Sequence, residues 1–190
     1  MVDKKEDKNK KTLDLPDEEY NRVWPQEKNY KQIKSYNDPR FGDVTVLKNH
    51  QTNDVLLVKE KMASSKKEAT NDIMNLKSRM ALNHPNMLQM VDYSTAVKKE
   101  LCSTHYLSRA FYKYPKTDMH RELADRKKKL TEFDGNELQS IGHQTLKALN
   151  HLHQKDLNHG DVRPQYIGGD REGNYMLLDR FRDPAPVEKA

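Results

Sequence analysis

Residues 159–181 read HGDVRPQYIGGDREGNYMLLDRF, and this stretch decides the fold of the chain. It carries two carboxylates, Asp161 near its start and Asp179 near its end. Short apolar runs lie on either side of a glycine-containing segment, which is typical of a β-hairpin. We therefore predict a loop and a hairpin, with one carboxylate at either end of this unit.

The stretch immediately upstream predicts a helix over residues 136–154. Asp134 can cap this helix, and Glu137 three residues later completes a capping-box pattern. Apolar and weakly polar residues then follow at alternating steps of three and four, which predicts one core-facing stripe. The stripe consists of Leu138, Ile141, Thr145, Leu149 and Leu152.

Together these two segments resemble the catalytic region of the eukaryotic protein kinases. In that family an H-R-D-x-K-P-x-N loop precedes a β-hairpin that ends in D-F-G. The matching residues are HGDVRPQY, which begins at His159, and DRF, which begins at Asp179. The resemblance implies an α+β, kinase-like fold. Its N-lobe would be an antiparallel sheet with one helix, and its mainly helical C-lobe would be incomplete.

The resemblance extends upstream to about Tyr36. The sequence YNDPRFGDVTVLKNHQTNDVLLVKEKM over residues 36–62 predicts a strand, a turn and two further strands. FGDV resembles the end of the glycine-rich loop that covers the phosphates, although Gly42 is the only glycine retained there. Lys59 matches the strand lysine that holds the α and β phosphates, so Gly42 and Lys59 are the expected nucleotide-binding residues.

A second helix is predicted over residues 65–82, and the NHPN that follows resembles the turn into the fourth kinase strand. Counting back from His84 puts Asn75 where the helix glutamate would pair with the strand lysine, so that ion pair is expected to be missing. STHYLSRAF resembles the fifth strand leading into the hinge. Phe111, at its end, is expected near the back of the nucleotide pocket.

The resemblance also implies roles for three residues of the opening stretch. Asp161 matches the aspartate that accepts or orients the proton of the substrate hydroxyl. Asp179 matches the aspartate that holds magnesium. Arg163 replaces the loop lysine and keeps a positive charge near a transferring phosphate, with a different geometry. An alternative role for the two aspartates is to stabilise turns through hydrogen bonds to the backbone.

Several departures from the family pattern count against phosphate transfer. Tyr166 replaces the asparagine that binds the second magnesium, and a phenol is a poor ligand for a hard cation. Arg180 and Phe181 replace the phenylalanine and glycine of D-F-G. The chain ends at FRDPAPVEKA, without an A-P-E segment or the helices beyond it. We therefore expect a truncated C-lobe.

Composition and charge limit the class of partner. The net charge of +5 allows an acidic protein surface, but basic and acidic residues alternate and form no arginine-aromatic platform, which argues against nucleic acid. No apolar run is long enough to span a bilayer, so we expect no membrane contact. Cys102 is the only cysteine, which fits a reducing, intracellular setting.

We divide the chain into a charged, extended N-terminal arm over residues 1–34, a kinase-like N-lobe over residues 35–113 and a partial C-lobe over residues 114–190. The apolar residues of the arm are spaced as separate anchors, which favours docking on its own domain or on a partner. The alternative, which the composition supports, is a disordered tail.

Our preferred hypothesis is a truncated, catalytically inactive kinase-like domain without a cofactor, which acts as a scaffold in a larger intracellular assembly. The location would be cytoplasmic, cytoskeletal or ciliary. Protein partners are expected, among them an acidic filament surface such as the microtubule. The alternative is a divergent serine/threonine protein kinase that uses Mg-ATP, or a fragment of one, with Lys59, Asp161 and Asp179 in their family roles.

Overall fold

The computed structural model describes residues 15–38, 42–170 and 172–178. In chain order its strands are β1 (Tyr30–Asp38), β2 (Gly42–Asn49), β3 (Val55–Ala63), β4 (Met90–Lys99), β5 (Thr104–Lys113), β6 (Thr117–Asp118), β7 (Ile167–Gly169) and β8 (Tyr175–Leu177). The helices are α1 (Lys66–Met80), α2 (Met119–Lys129) and α3 (Gly135–His153), and short 3-10 turns occupy Asp17–Asn21, Pro25–Asn29 and Pro164–Tyr166. Among these helices, none combines the length and apolar character that a bilayer crossing requires.

The larger sheet is antiparallel, with the strand order β1-β2-β3-β5-β4. This confirms the predicted strand, turn, strand, strand pattern, and Asn53 adopts a left-handed φ of 64° in the turn between β2 and β3. The start of the first strand was predicted wrongly, because β1 begins at Tyr30, opposite Asn49, and not at Tyr36. β1 is an edge strand and most of its side chains face solvent, so its sequence lacks the apolar alternation of a half-buried strand.

α1 packs on one side of this sheet, called the inner face below. The helix predicted over residues 65–82 is confirmed. It begins after Ser65, whose side chain accepts a hydrogen bond from the Glu68 N–H and so satisfies one of the free donors of the first turn. Ala69 and Ile73 are buried against the sheet. The helix therefore supplies the apolar cover of the inner face.

Neighbouring residues of a strand point to opposite faces of the sheet, so the two faces carry different clusters. The inner-face residues Val44, Leu57, Ala110 and Tyr112 belong to the main core. The outer-face cluster consists of Trp24, Leu56, Val58 and Phe111. A tryptophan from outside the sheet therefore covers the outer face.

The described part of the N-terminal arm, residues 15–29, packs against the sheet. Tyr20 is 3% exposed and Trp24 is 4% exposed. Between them, Arg22 pairs with the free edge of β4: its N–H donates to Thr95 Oγ1 at 2.8 Å, and its carbonyl accepts from the Thr95 N–H at 2.8 Å. The arm thus satisfies backbone groups at an edge that would otherwise be open.

Charge complementarity adds to this docking. The ion pairs between the arm and the rest of the fold are Asp17 with Lys66, Glu19 with Lys77, Arg22 with Asp92, and Glu27 with Arg109. The Lys77 ammonium lies 2.6 Å from Glu19 and lowers the pKa of that carboxyl. Such partly exposed pairs are individually weak, so the buried rings of the arm contribute more to its attachment.

The C-terminal half contains α2, α3 and a small sheet with the order β6-β7-β8. The capping box predicted for α3 is confirmed, since Asp134 accepts from the Glu137 N–H at 2.7 Å and Glu137 accepts from the Asp134 N–H at 2.9 Å. The hairpin predicted after the 159–166 loop is confirmed as β7 and β8.

The buried stripe of α3 differs in part from its prediction. Ile141 and Leu152 are buried as expected, but the centre of the stripe is Ala148, which is fully buried. Leu138 is 56% exposed, so its assignment to the core was wrong. The spacing of Ile141, Ala148 and Leu152 puts the contact face to one side of Leu138, and β8 packs against that face.

The N-terminal half, which contains the larger sheet and α1, meets this C-terminal half where the loop between α1 and β4 touches α3 and β8. Leu177 donates its N–H to the Asn86 carbonyl at 2.8 Å, and its own carbonyl accepts from the Leu88 N–H at 2.9 Å. Apolar contacts surround these bonds, and the cluster consists of Leu82, Met87, Ala148, Leu152 and Leu177. The residues that connect the halves therefore form one apolar cluster of their own.

Candidate functional site

His159 holds the loop of residues 159–166 against the hairpin. Its Nε2 lies 2.7 Å from the Leu178 carbonyl, and its Nδ1 lies 3.3 Å from the Asp161 N–H. A carbonyl can only accept and an N–H can only donate, so the imidazole is neutral with its proton on Nε2. This arrangement fixes the backbone of Asp161 relative to the end of β8.

The Asp161 carboxylate is paired within its own loop. Arg163 Nη2 donates to Asp161 Oδ2 at 2.7 Å, and the side chains are 57% and 23% exposed respectively. The hydrogen bond and the charge of Asp161 raise the pKa of the Arg163 guanidinium. The structure therefore brings together two of the predicted site residues, and the arginine partly neutralises the proposed proton acceptor.

Tyr166 is buried in the main core. It is 5% exposed, its carbonyl accepts from the Leu178 N–H at 2.7 Å, and its ring meets His159 edge to face with 5.9 Å between the centroids. The Arg163 guanidinium lies over the same ring, 5.4 Å from its centroid. An aromatic ring enclosed on these sides takes the place where the kinase resemblance expects a magnesium ligand.

Lys59 lies in the middle of β3, between Val44 of β2 and Ala110 of β5. Lys59 is two residues after Leu57, an inner-face residue, so its side chain points to the same face. Gly42 begins β2 two residues before Val44, so both predicted nucleotide-binding residues lie on the same pair of strands. Gly42 has a φ of 72°, a conformation that favours glycine. Residues 39–41 of the damaged glycine-rich loop lie outside the described residues.

An ion pair between β3 and α1 is present, but at other positions than the resemblance suggests. Lys61 Nζ lies 2.7 Å from Asp72 Oδ1, whereas Asn75 is exposed. Lys61 is two residues from Lys59 on the same face of β3, and Asp72 is about one helical turn before Asn75. The sequence could have suggested this pair, because Asp72 interrupts the apolar face formed by its helix neighbours.

The prediction for Phe111 was wrong. Phe111 pairs with Val58 and packs against Trp24 on the outer face, with 4.5 Å between the ring centroids. Its neighbour Tyr112 pairs with Leu57 and is buried on the inner face. The prediction placed the strand correctly but not its alternation, and a shift of one residue exchanges the two faces.

Two further tyrosines close over the inner face. The side chains of Tyr36 in β1 and Tyr114 after β5 are neighbours, and both rings pack against the main core. Burial, followed by the neighbouring Tyr114 hydroxyl, raises the pKa of Tyr36. The Lys34 ammonium lies 5.0 Å from the Tyr36 ring centroid and 5.6 Å from that of Tyr114. Sequence reasoning missed this pair because its members are far apart in the chain.

The ligand set for magnesium is only partly described. Asp179, the predicted magnesium ligand, and the Arg180 and Phe181 that follow it lie outside the described residues. Within the described ranges, no group of three or more histidine, cysteine, aspartate or glutamate side chains is arranged to hold a metal ion. Tyr166, at the family position of a magnesium ligand, does not suit a cation.

A comparison with protein families gives a match to the family described as protein kinase domain, over residues 38–180. The matched region runs from the end of β1 to just after the hairpin of β7 and β8. It therefore contains Gly42, Lys59, Asp161, Arg163 and Asp179. A comparison with curated proteins finds no match.

Proposed function

Because this chain belongs to the protein kinase family, we propose that it is a kinase-fold domain that does not transfer phosphate and that serves as a scaffold in an intracellular assembly. The observation that carries the proposal is the burial of Tyr166 among Leu178, His159 and Arg163. Phosphate transfer depends on positioned charge, above all on magnesium ions that bridge the phosphates. A buried ring at a magnesium position removes one ligand and the space for the ion.

The tyrosines of the inner face support the same conclusion. Tyr36, Tyr112 and Tyr114 all contact the core beside Val44 and Leu57, the residues that flank Lys59. A nucleotide base needs an apolar slot of its own. Here the chain packs its own aromatic side chains against the core beside that surface, which leaves less apolar surface for a base.

The residues of α1 that face the strand lysine also depart from the family pattern. In active kinases a helix glutamate pairs with the strand lysine and holds it in place. At the matching position Asn75 is exposed and uncharged, and the ion pair of this sheet and helix joins Lys61 to Asp72. The glutamate of the family pattern is therefore replaced, and the Lys61–Asp72 pair joins α1 to β3.

Thermal unfolding with and without Mg-ATP tests the proposal. A ligand that binds only the folded state raises the melting temperature in proportion to the logarithm of its concentration above Kd. We expect no rise for the natural chain at millimolar Mg-ATP. Tyr166→Asn restores an amide ligand and serves as the comparison. Tyr166→Phe, which keeps the buried ring, is its matched control.

Phosphate transfer is the second measurement. The proposal fails if the natural chain binds Mg-ATP tightly and labels a generic protein substrate, and if Asp161→Asn abolishes that labelling. Asp156→Asn is the matched control, because Asp156 lies five residues upstream in the turn after α3 and its replacement makes the same chemical change. Equal loss in both variants would indicate damage to the fold.

A divergent Mg-ATP-dependent serine/threonine kinase is the second candidate function. It is favoured by the retention of Lys59 on the inner face and by the partial exposure of the Asp161 side chain, at 23%. The two candidates differ in the experiments above: the enzyme requires Mg-ATP binding and a transfer activity that depends on Asp161, and the scaffold requires neither.

An acidic protein surface, such as that of the microtubule, is the partner that we propose for the scaffold. The proposal is supported by the net charge of +5 and by the exposed run Lys127–Lys129 at the end of α2. We expect cosedimentation with microtubules to weaken as salt is raised, because exposed charges are screened. Replacing the three lysines by glutamine should reduce binding more than the same change at exposed Lys67, Lys98 and Lys99. Binding that is unaffected by salt would contradict the proposal.

A further inference from the structure

A pocket of about 300 Å³ lies where the loop between α1 and β4 meets the end of α3. The loop contributes His84 and Asn86, and α3 and its C-cap contribute Lys147, Asn150, His151 and Gln154. Asn150, His151 and Gln154 follow Lys147 by three, four and seven positions. All four side chains therefore lie on one face of the helix. The pocket is separate from the loop of Asp161.

The polar groups of this pocket are mainly hydrogen-bond donors and carry no negative charge. Its lining contains one ammonium, two imidazoles and three amides, and no carboxylate. The side chains of Lys147, Asn150 and Gln154 form no hydrogen bond or ion pair with any residue in the described ranges. Their donors are therefore available to a ligand.

The two histidines are stacked, with 4.9 Å between the ring centroids and 28° between the planes. His84 Nδ1 accepts from the Asn86 N–H at 3.1 Å, so the neutral ring carries its proton on Nε2 and can donate there. His151 Nε2 is buried and forms no hydrogen bond with the described residues, so His84 supplies the imidazole donor of the pocket.

Lys147 is the one residue of the pocket lining that carries a full charge at neutral pH. The charged or titratable groups that face His84 are Lys147 and His151 of α3, and its own loop adds none to the lining. Burial, and then these two neighbours, lower the pKa of His84. The C-terminal dipole of α3 opposes an anion near Asn150, His151 and Gln154, so the charge of Lys147, one turn earlier, has to outweigh it.

We propose that this pocket binds a phosphate group, with Lys147 as the cation and the imidazole and amide N–H groups as donors. A phosphate offers several strong acceptor oxygens and close to two negative charges, which suit donors that approach from both the loop and the helix. The proposal does not depend on the proposed function, because none of these residues belongs to the Asp161 loop or contacts Lys59.

Histidine NMR signals recorded while inorganic phosphate is added to the full chain at constant ionic strength provide the test. We expect the signals of His84 and His151 to shift and saturate, and the pKa of His84 to rise, since a bound anion favours the protonated form. The exposed His120 and His143 report any general effect of salt. Shifts that never saturate, or that are equal in all four residues, would refute the proposal.

A matched pair of variants tests the role of the lysine. Lys147→Gln should weaken phosphate binding about tenfold or more, which corresponds to the loss of one charge-assisted hydrogen bond. Lys155→Gln removes the same charge from the turn just after α3, outside the lining, and should leave the affinity unchanged. An equal loss in the two variants would show that only the overall charge matters, and would overturn the proposal.

Two probes distinguish the sources of the phosphate, and a third tests its class. Tighter binding of a short phosphoserine peptide than of inorganic phosphate supports a phosphorylated protein segment. Tighter binding of inorganic phosphate supports a small free ligand. Acetate at the same ionic strength is the third probe, and saturable binding of acetate with equal affinity would contradict selectivity for phosphate.

Discussion

Single side chains in the loop of residues 159–166 constrain one another, and His159 is central among them. It bonds to the Leu178 carbonyl, receives the Asp161 N–H and meets the ring of Tyr166. The loop therefore holds its position through contacts that do not need a ligand. This stability is compatible with a kinase-family loop whose role is structural.

At the same scale, His84 predicts how stability depends on pH. Its pKa is lowered from 6.5 in the folded chain, so the unfolded chain takes up the proton first as the pH falls. The contribution of the neutral histidine is fully present above pH 6.5 and is lost as the pH falls below that value towards the folded pKa. We expect the melting temperature in a phosphate-free buffer to decrease as the pH is lowered below 6.5.

The variant His84→Asn isolates this contribution, because asparagine can still accept the Asn86 N–H but does not titrate near neutral pH. Its melting temperature should depend less on pH than that of the natural chain. His143→Asn, at an exposed position of α3, should keep the natural pH dependence. The assignment to His84 is wrong if both variants respond to pH alike.

At the scale of elements, two leucines of α3 distinguish its core face from its exposed face. Leu152 is 5% exposed and packs in the cluster that joins the two halves, whereas Leu146 is 65% exposed. Leu152→Ala should lower the free energy of unfolding by about 2–5 kcal/mol, through lost burial and the cavity left behind. Leu146→Ala should change it by less than about 0.5 kcal/mol. Urea unfolding monitored by circular dichroism measures both free energies. Similar losses in the two variants would show that α3 buries a different face.

The N-terminal arm offers a second matched pair at this scale. Trp24 is 4% exposed on the outer face, and its neighbour Val23 is 73% exposed. We expect Trp24→Ala to cost about 3–5 kcal/mol and Val23→Ala less than about 0.5 kcal/mol. Differential scanning calorimetry checks both values. If Trp24→Ala leaves the melting temperature unchanged, the arm is not part of the folded unit.

At the scale of the whole molecule, the Asn86 side chain couples the two halves. Its Nδ2 donates to Gln144 Oε1 at 2.8 Å and to the Tyr175 carbonyl at 2.9 Å. Gln144 Oε1 also accepts from the Tyr175 N–H at 2.8 Å. Asn86→Ala should cost about 1–3 kcal/mol, because it removes the side-chain donor from the buried bond to the Tyr175 carbonyl.

This coupling also predicts how the chain unfolds. The natural chain and Asn86→Ala should each show one cooperative transition, reported alike by Trp24 fluorescence in the N-terminal half and by helix circular dichroism. Asn136→Ala is the control, since Asn136 is exposed in the first turn of α3 and should be nearly neutral. Two separate transitions in the natural chain would show that the halves are independent.

Elements set by local contacts were predicted well. The capping box of Asp134 and Glu137, the helix over residues 65–82 and the turn between β2 and β3 each depend on residues a few positions apart, and each was confirmed. The family followed from the HGDVRPQY and VLLVK segments, which are also local patterns. The candidate site was predicted as a set of positions, of which Lys59, Asp161, Arg163 and Gly42 can be located and Asp179 lies outside the described residues.

The sequence by itself determined the fold class, the kinase family and the residue types at the family positions, because local patterning and motif spacing are properties of the chain alone. Tertiary packing was needed to show that Phe111 faces Trp24 and that Tyr36 lies beside Tyr114. Each of these contacts joins residues far apart in the chain. Their geometry depends on strand register and helix rotation, which are set when the core packs as a whole.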